Sequence, residues 1–364
     1  MAIKKTTAMV QTGPRALEAR EFPLPDISDN DALLRVEACG ICGSDHEQFN
    51  GVLPVPYPII PGHEPLGIIE AIGDGAARRW GVDVGDRVAV ETMLGCQSCR
   101  DCYSGSYHLC STRQIYSYIP IDQPPGLWGA YSQYMYIAPN AVVHKVDPGL
   151  PPEIAVMFNP LGAGFRWAVE MPQTRPGDTV LILGPGQRGL ASVIACRQVG
   201  AGDIIVTGLG ADENKLELAR EFGATHTINS EEENTEQRVR EITNGRGADV
   251  VVEVTSYATE PVAASLNYAR QGGTIVLAGV KGMKEVAGFV SDKVVLKELT
   301  IKGAMGVTWS AYDSAIRLIE AGSVPIEKMH THNFALEDAE LAIRTLAREI
   351  PGEESVHSCL LPCA

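Results

Sequence analysis

No stretch of this 364-residue chain approaches the run of about 18 apolar residues that a membrane-crossing helix needs, so no membrane partner is expected. Positive charge is also scarce. Thirty Lys and Arg stand against 45 Asp and Glu, a formal net charge of −15. Such a balance argues against nucleic acid and anionic membrane surfaces and is most simply a solubility device. The N-terminal Met1-Ala-Ile-Lys-Lys-Thr-Thr7 has none of the long apolar character of a secretion signal, so the expected location is the cytoplasm. Internal repeats and low-complexity tracts are absent, and the nine cysteines do not form an even set. Four of them fall between positions 96 and 110, a clustering that reads as metal binding rather than a disulfide framework.

What remains is ordinary globular composition, 45% hydrophobic and 21% charged, in a chain long enough for about two domains. Up to about residue 150 the sequence consists of short β-type runs, at 32–37, 66–72, 86–90 and 131–137, separated by Gly and Pro. Pro54, Pro56, Pro58 and Pro61 hold an extended segment ahead of Gly62-His63-Glu64, and Pro148, Pro151 and Pro152 mark a boundary. Beyond it strands are expected at 179–183, 204–207, 226–228, 250–254, 274–278 and 299–302. Helical patterns at 215–222 and 236–242 lie between them. Such βαβ alternation implies a doubly wound parallel sheet, and the fold class is α/β. Two amphipathic helices, 312–320 and 336–348, follow.

The first of those strands runs into Gly184-Pro-Gly-Gln187-Arg188-Gly189, and Leu190, Val193 and Ile194 begin a helical stripe behind it. Strand, glycine turn and helix together are the context that makes G-x-G-x-x-G a dinucleotide site rather than a plain tight turn. Gly184 allows the turn, Gly186 lets a pyrophosphate approach the backbone, and Gly189 lets helix and strand pack closely. The amide groups at the helix start face the phosphates.

Cys96, Cys99, Cys102 and Cys110 have the spacing of a closed, four-thiolate site, which pins a loop and leaves no position for water. Zinc suits such a loop better than the alternative, an iron–sulfur cluster, and His108 is surplus to the four donors. A second set joins Cys42, in Cys39-Gly-Ile-Cys-Gly-Ser-Asp-His46, to His63 and Glu64. One thiolate and one imidazole begin a catalytic zinc site with an open position, and Asp45 can accept the second ring N–H of His63.

With these motifs in the order Gly40-Ile-Cys-Gly-Ser-Asp45, Gly62-His-Glu64, Gly85-Asp-Arg-Val88, the cysteine loop and the glycine turn, the chain resembles the zinc-dependent medium-chain dehydrogenases. These are the alcohol, sorbitol and threonine dehydrogenases. The resemblance covers nearly the whole chain. It implies a GroES-like, mostly β catalytic domain (1–158, with a return over 305–364) around a Rossmann domain at 159–304. It also implies two zinc ions per chain, one catalytic and one structural, an NAD(P) cofactor, and a homodimer or homotetramer. In the mechanism it implies, zinc acts as a Lewis acid on an alcohol while hydride passes to the nicotinamide, and Ser44 stands where the family has its proton-relay hydroxyl.

The chain departs from the family pattern in three places. The relay histidine usually found five residues after the zinc cysteine is Glu47, preceded by His46, and either is a relay candidate. The acidic residue that usually ends the second Rossmann strand is Gly208. Asp212 and Lys215 follow in Ala211-Asp-Glu-Asn-Lys215, and with no arginine there the expectation leans to NAD. In Phe158-Asn-Pro-Leu161 the position of a zinc-ligating Cys or Glu is Asn159, so Glu64 becomes the expected third ligand. The function expected is that of an alcohol or polyol dehydrogenase acting on a small alcohol or carbonyl compound. A reductase of an activated C=C bond and a non-catalytic cofactor-binding protein are the alternatives. Phe49, Met93, Tyr116 and Trp128 are candidate pocket residues, and core packing is an equally good account of each.

Overall fold

The computed structural model describes residues 5–363; the first four residues of the stretch read for a secretion signal lie outside the described residues. The chain divides into two compact units. One comprises residues 1–159, 316–321 and 330–364, the other 160–315 and 322–329. The end of the last β-type run in the sequence points to a return near residue 305. The division between the units falls inside the continuous helix Trp309–Ala321, which offers no Gly or Pro to mark it.

The first unit is built on a seven-stranded sheet. Its order is His330–Phe334, His357–Leu360, Ala32–Gly40, Pro65–Ile72, Arg87–Val90 and Val143–Lys145, with Tyr134–Ile137 also paired to Ala32–Gly40. All pairings are antiparallel except that of His330–Phe334 with His357–Leu360, so the C-terminal segment completes the sheet that the N-terminal half begins. The hairpin Lys5–Gly13 and Ala16–Pro23 stands beside it. Val10, Leu34, Val36, Ile41, Ile60, Ile69, Val88 and Met135 form its core. Antiparallel sheets commonly alternate buried and solvated positions; here Arg87–Val90, Tyr134–Ile137 and His357–Leu360 are buried at every position, and alternation appears at the edge strand His330–Phe334.

The second unit carries six parallel strands in the order His226–Asn229, Ile204–Gly208, Val180–Leu183, Ala248–Glu253, Ala269–Leu277 and Thr300–Gly303. Val180–Leu183 is buried at every position, as a central strand covered on both faces requires. Strand order reverses beside it, and the crevice at such a switch point is where doubly wound sheets bind their ligands. All six expected strands are present, each within a few residues of the sequence reading. Among the described residues no helix is long and apolar enough to cross a membrane.

Candidate active site and metal centres

Cys42 caps the helix Gly43–Phe49 from an extended conformation, φ −113° and ψ 159°. Asp45, in the first turn and 1% exposed, does two things at once. One carboxylate oxygen accepts the Cys42 amide at 2.7 Å, and the other lies 3.3 Å from Nδ1 of His63. That arrangement fixes the ring so that Nε2 faces the opposite way, 3.3 Å from the Ser44 hydroxyl and 4.0 Å from Oε1 of Glu64. The donor atoms of Cys42, His63 and Glu64 lie within 4.8 Å of one another. Four-coordinate zinc sets spacings of about 3.3–3.8 Å between such donors, so a small contraction closes the set around one ion. Burial lowers the basicity of His63, but the neighbouring Asp45 carboxylate and Cys42 sulfur outweigh it and hold the imidazole well above its ordinary pKa. The position is one that favours a cation.

Glu64 is fully buried, and Gly40 is what makes room for it. A Cβ on Gly40 would lie 2.3 Å from Oε2 of Glu64. The Thr92 hydroxyl donates to the His63 carbonyl at 2.8 Å. Neither Gly40 nor Thr92 carries a sequence signal for this role beyond its neighbourhood to the motifs. Tyr118 is also drawn into the region. Burial, reinforced by the charges of Asp45, Cys42 and Glu47, pushes its phenol pKa up.

The four thiols of Cys96, Cys99, Cys102 and Cys110 converge in the same way, every Sγ within 4.8 Å of the others and none in a disulfide. Sγ of Cys102 lies 3.9 Å from that of Cys96 and 3.5 Å from that of Cys99. Tetrahedral zinc with sulfur ligands at 2.3 Å requires about 3.8 Å. Donors this close leave room for a single ion; a multi-iron cluster would hold them further apart. His108 is not among the clustered donors; its ring stands edge-on to Tyr107.

The relay candidates part company. Nε2 of His46 lies 2.8 Å from Oε1 of Glu349 and 2.8 Å from the Asn50 amide nitrogen. Glu349 is also held bidentately by Arg15, at 3.2 and 2.9 Å, and the Arg15 and His46 contacts lower its pKa to about 2. His46 thus meets Glu349 of the C-terminal segment, a placement no spacing rule supplies. Glu47 is 3% exposed and remains on the buried face; Asn159, in the helix Phe158–Phe165, is likewise 3% exposed. The four pocket candidates lie in packed surroundings. Phe49, Tyr116 and Trp128 belong to the hydrophobic core of the first unit. The Tyr116 hydroxyl accepts the Ala138 amide at 2.9 Å, and the Trp128 ring meets Tyr136 edge-on at 5.0 Å. Met93 sits in the small two-stranded pairing with Ile115 and is 7% exposed.

In the second unit the glycine turn has the form its residues imply. Gly184 adopts φ +108°, closed to most side chains. A Cβ on Gly189 would lie 1.9 Å from the Gly184 carbonyl oxygen, whereas one on Gly186 would meet nothing within 4 Å. Gly186 caps the twelve-residue helix Gln187–Gln198, whose first amides face that open side. Gln187 is buried and the Arg188 guanidinium lies 5.6 Å from the Trp167 ring centroid. At Gly208 the second strand ends without a carboxylate. Asp212 accepts the Leu209 amide at 3.1 Å, Glu231 accepts that of Gly210 at 2.7 Å, and Lys215 is 8% exposed in the helix Glu213–Phe222.

Residues 28–148 match the family model of the alcohol dehydrogenase GroES-like domain, and residues 189–321 that of the zinc-binding dehydrogenases. A probable alcohol dehydrogenase of Mycobacterium tuberculosis is 45% identical over 360 residues, 98% of each chain. An erythritol/L-threitol dehydrogenase of Mycolicibacterium smegmatis is 35% identical, with 99% of this chain and 98% of that one covered. Among solved structures, an alcohol dehydrogenase of Thermotoga maritima superposes with a TM-score of 0.88 at 28% identity, covering 98% of this chain and 99% of that one. A zinc-binding dehydrogenase of Sinorhizobium meliloti bound to NADP gives 0.85 at 26% identity, with the same coverage.

Proposed function

The chain belongs to the zinc-dependent medium-chain dehydrogenases, enzymes of alcohols and polyols, and from that premise we propose that Cys42, His63 and Glu64 are the protein ligands of its catalytic zinc. It is an oxidoreductase acting on CH–OH groups with zinc and a nicotinamide cofactor. When bound, zinc supplies Lewis acidity toward the alcohol oxygen, and the nicotinamide accepts the hydride. The chain's own residues do the rest. Asp45 holds His63 so that Nε2 is turned toward the Cys42 and Glu64 donors. Cys42 and Glu64 bring two negative charges, which balance those of the ion. Asn159, a neutral carboxamide, is a poor donor beside them and is left to hydrogen-bond water or substrate.

Ser44, whose hydroxyl is 3.3 Å from Nε2 of His63, takes the substrate proton. Glu47 lies three residues further along the same helix, on the same face, and receives it in place of His46. The four-cysteine set holds the second, structural zinc, giving two per chain. NAD is the preferred cofactor, because Asp212 and Glu231 surround the end of the second strand with negative charge that opposes a 2′-phosphate. The exposed apolar side chains Met283, Val295, Leu296 and Trp309 in the second unit support a homo-oligomer, a dimer or tetramer. Nine cysteines without a disulfide suit a reducing compartment, the cytoplasm.

The observation that carries the reading is the convergence of thiolate, imidazole and carboxylate beside an imidazole-orienting Asp45. The test is reduction of NAD+ and NADP+ by a panel of secondary alcohols and polyols, with and without chelator. Chelator-sensitive turnover, tighter binding of NAD+ than NADP+, and a larger loss of metal in Glu64→Ala than in Asn159→Ala are expected. Turnover that survives metal removal, or reduction of conjugated C=C bonds in its place, sinks the reading.

A further inference from the structure

Glu91 and Thr92 follow the strand Arg87–Val90 directly and are adjacent in the chain. Thr92 holds the backbone of His63 through its 2.8 Å hydrogen bond to that residue's carbonyl. Glu91 is fully buried, and its two oxygens are taken from opposite sides. Nε2 of His144, on the strand Val143–Lys145, lies 2.8 Å from Oε1, and the Tyr107 hydroxyl donates to Oε2 at 2.5 Å. Tyr107 opens the short turn Tyr107–Leu109 between the third and fourth cysteines, and its carbonyl accepts the Cys110 amide at 3.1 Å. Tyr107 and the cysteine cluster flank Gly95 closely: a Cβ on Gly95 would lie 2.9 Å from Cβ of Tyr107 and 3.0 Å from Sγ of Cys102. Tyr107, Glu91 and Thr92 donate to neither metal set. They form a continuous line from the four-cysteine lobe to the seat of His63.

We propose that Tyr107, Glu91 and Thr92 are positioning residues through which the four-cysteine lobe fixes the placement of His63, so that the lobe's metal sets the affinity and geometry of the catalytic centre. This rests on the assignment of Cys42, His63 and Glu64 above. A buried carboxylate must keep both oxygens satisfied, so the Tyr107 hydroxyl holds Glu91 firmly. Glu91 carries Thr92 with it through one peptide unit. Thr92 then determines where the backbone of His63 rests, while Asp45 determines the ring's rotation. A metal ligand tolerates displacements of only about 0.2 Å, so slack anywhere on this line is felt at Nε2.

The experiment compares chelator competition for zinc, and the visible spectrum after cobalt replaces zinc at the catalytic position, in full-length Tyr107→Phe and Thr92→Val proteins. Tyr107→Phe is expected to keep the lobe metal and to weaken the catalytic metal about tenfold, at the low end of the effect of an outer-shell partner. Thr92→Val, which touches nothing in the lobe, should do the same. The double variant should lose less than the two single losses combined, because both act on one line. Both single variants should shift the cobalt bands. Tyr103→Phe, on the same lobe but 78% exposed, should match the parent. A purely structural role would lower the melting temperature while leaving cobalt bands and metal affinity as in the parent, and that result overturns the proposal. A parent protein with no second metal overturns the site assignment itself, and is seen before any variant is compared.

Discussion

Gly40→Ala is the sharpest probe of Glu64. Gly40 ends the strand Ala32–Gly40 and its backbone is not in the left-handed region, so alanine meets no conformational obstacle there. The whole effect is a contact. The new methyl would stand 2.3 Å from Oε2 of Glu64 and 3.3 Å from its Cβ and Cδ, where ordinary contact begins at 3.4 Å. Relief requires Glu64 to move by roughly 1 Å, five times the tolerance of a metal–ligand bond. Overpacking of this size costs about 1–3 kcal/mol, a fall of several degrees in melting temperature. Metal affinity at the catalytic position should fall by at least the tenfold to hundredfold that an outer-shell partner controls. The assay is zinc per chain after dialysis against a graded chelator, with the four-cysteine zinc as internal reference, alongside alcohol-dependent cofactor reduction. Gly40→Ala and Glu64→Ala should look alike in metal retention, although only the second removes a carboxylate. If Gly40→Ala keeps both zinc ions and the parent's turnover, Glu64 is not a ligand.

Cys99→Ser should lose the lobe zinc and melt at lower temperature, since structural zinc contributes folding energy directly; metal analysis showing no change refutes the closed site. Gly186→Asp meets nothing within 4 Å and should leave the melting temperature unaltered, yet place a negative charge against the pyrophosphate and abolish dinucleotide binding in a calorimetric titration. Retained binding would put the cofactor elsewhere. Glu349, held at about 2 by Arg15 and His46, contributes stability that is complete above its ordinary carboxylate pKa and disappears as pH falls from about 4.5 toward 2. Both partners are partly exposed, so the contribution is about 1 kcal/mol. Glu349→Gln should therefore melt about one degree lower at neutral pH, with the gap closing in acid; a gap that stays constant with pH refutes the ion-pair account.

Much of this was legible in the residues. Parallel strands buried on both faces leave continuous apolar runs such as 250–252, and the glycine turn leaves a spacing that few other structures need. Both metal sets are also partly local in sequence, so their spacing survives as a signal. What the residues do not announce has one cause, tertiary placement. His46 meets Glu349, 303 positions away, and no local pattern announces it. Phe49, Tyr116 and Trp128 look alike as pocket or core until the hydrogen bonds and ring contacts that bury them are seen. Gly40, Thr92 and Glu91 have ordinary strand-end identities whose roles arise only from what lies across from them.

On the proposed assignment, alcohol oxidation depends on a metal at Cys42, His63 and Glu64, separate from the metal of the four-cysteine lobe. The most direct measurement follows zinc content and alcohol-dependent reduction of NAD+ together while the loaded protein is titrated with chelator. Activity should disappear in step with the first zinc lost, with about one zinc per chain still held by the four thiolates. Activity that persists after that zinc has gone would contradict the account.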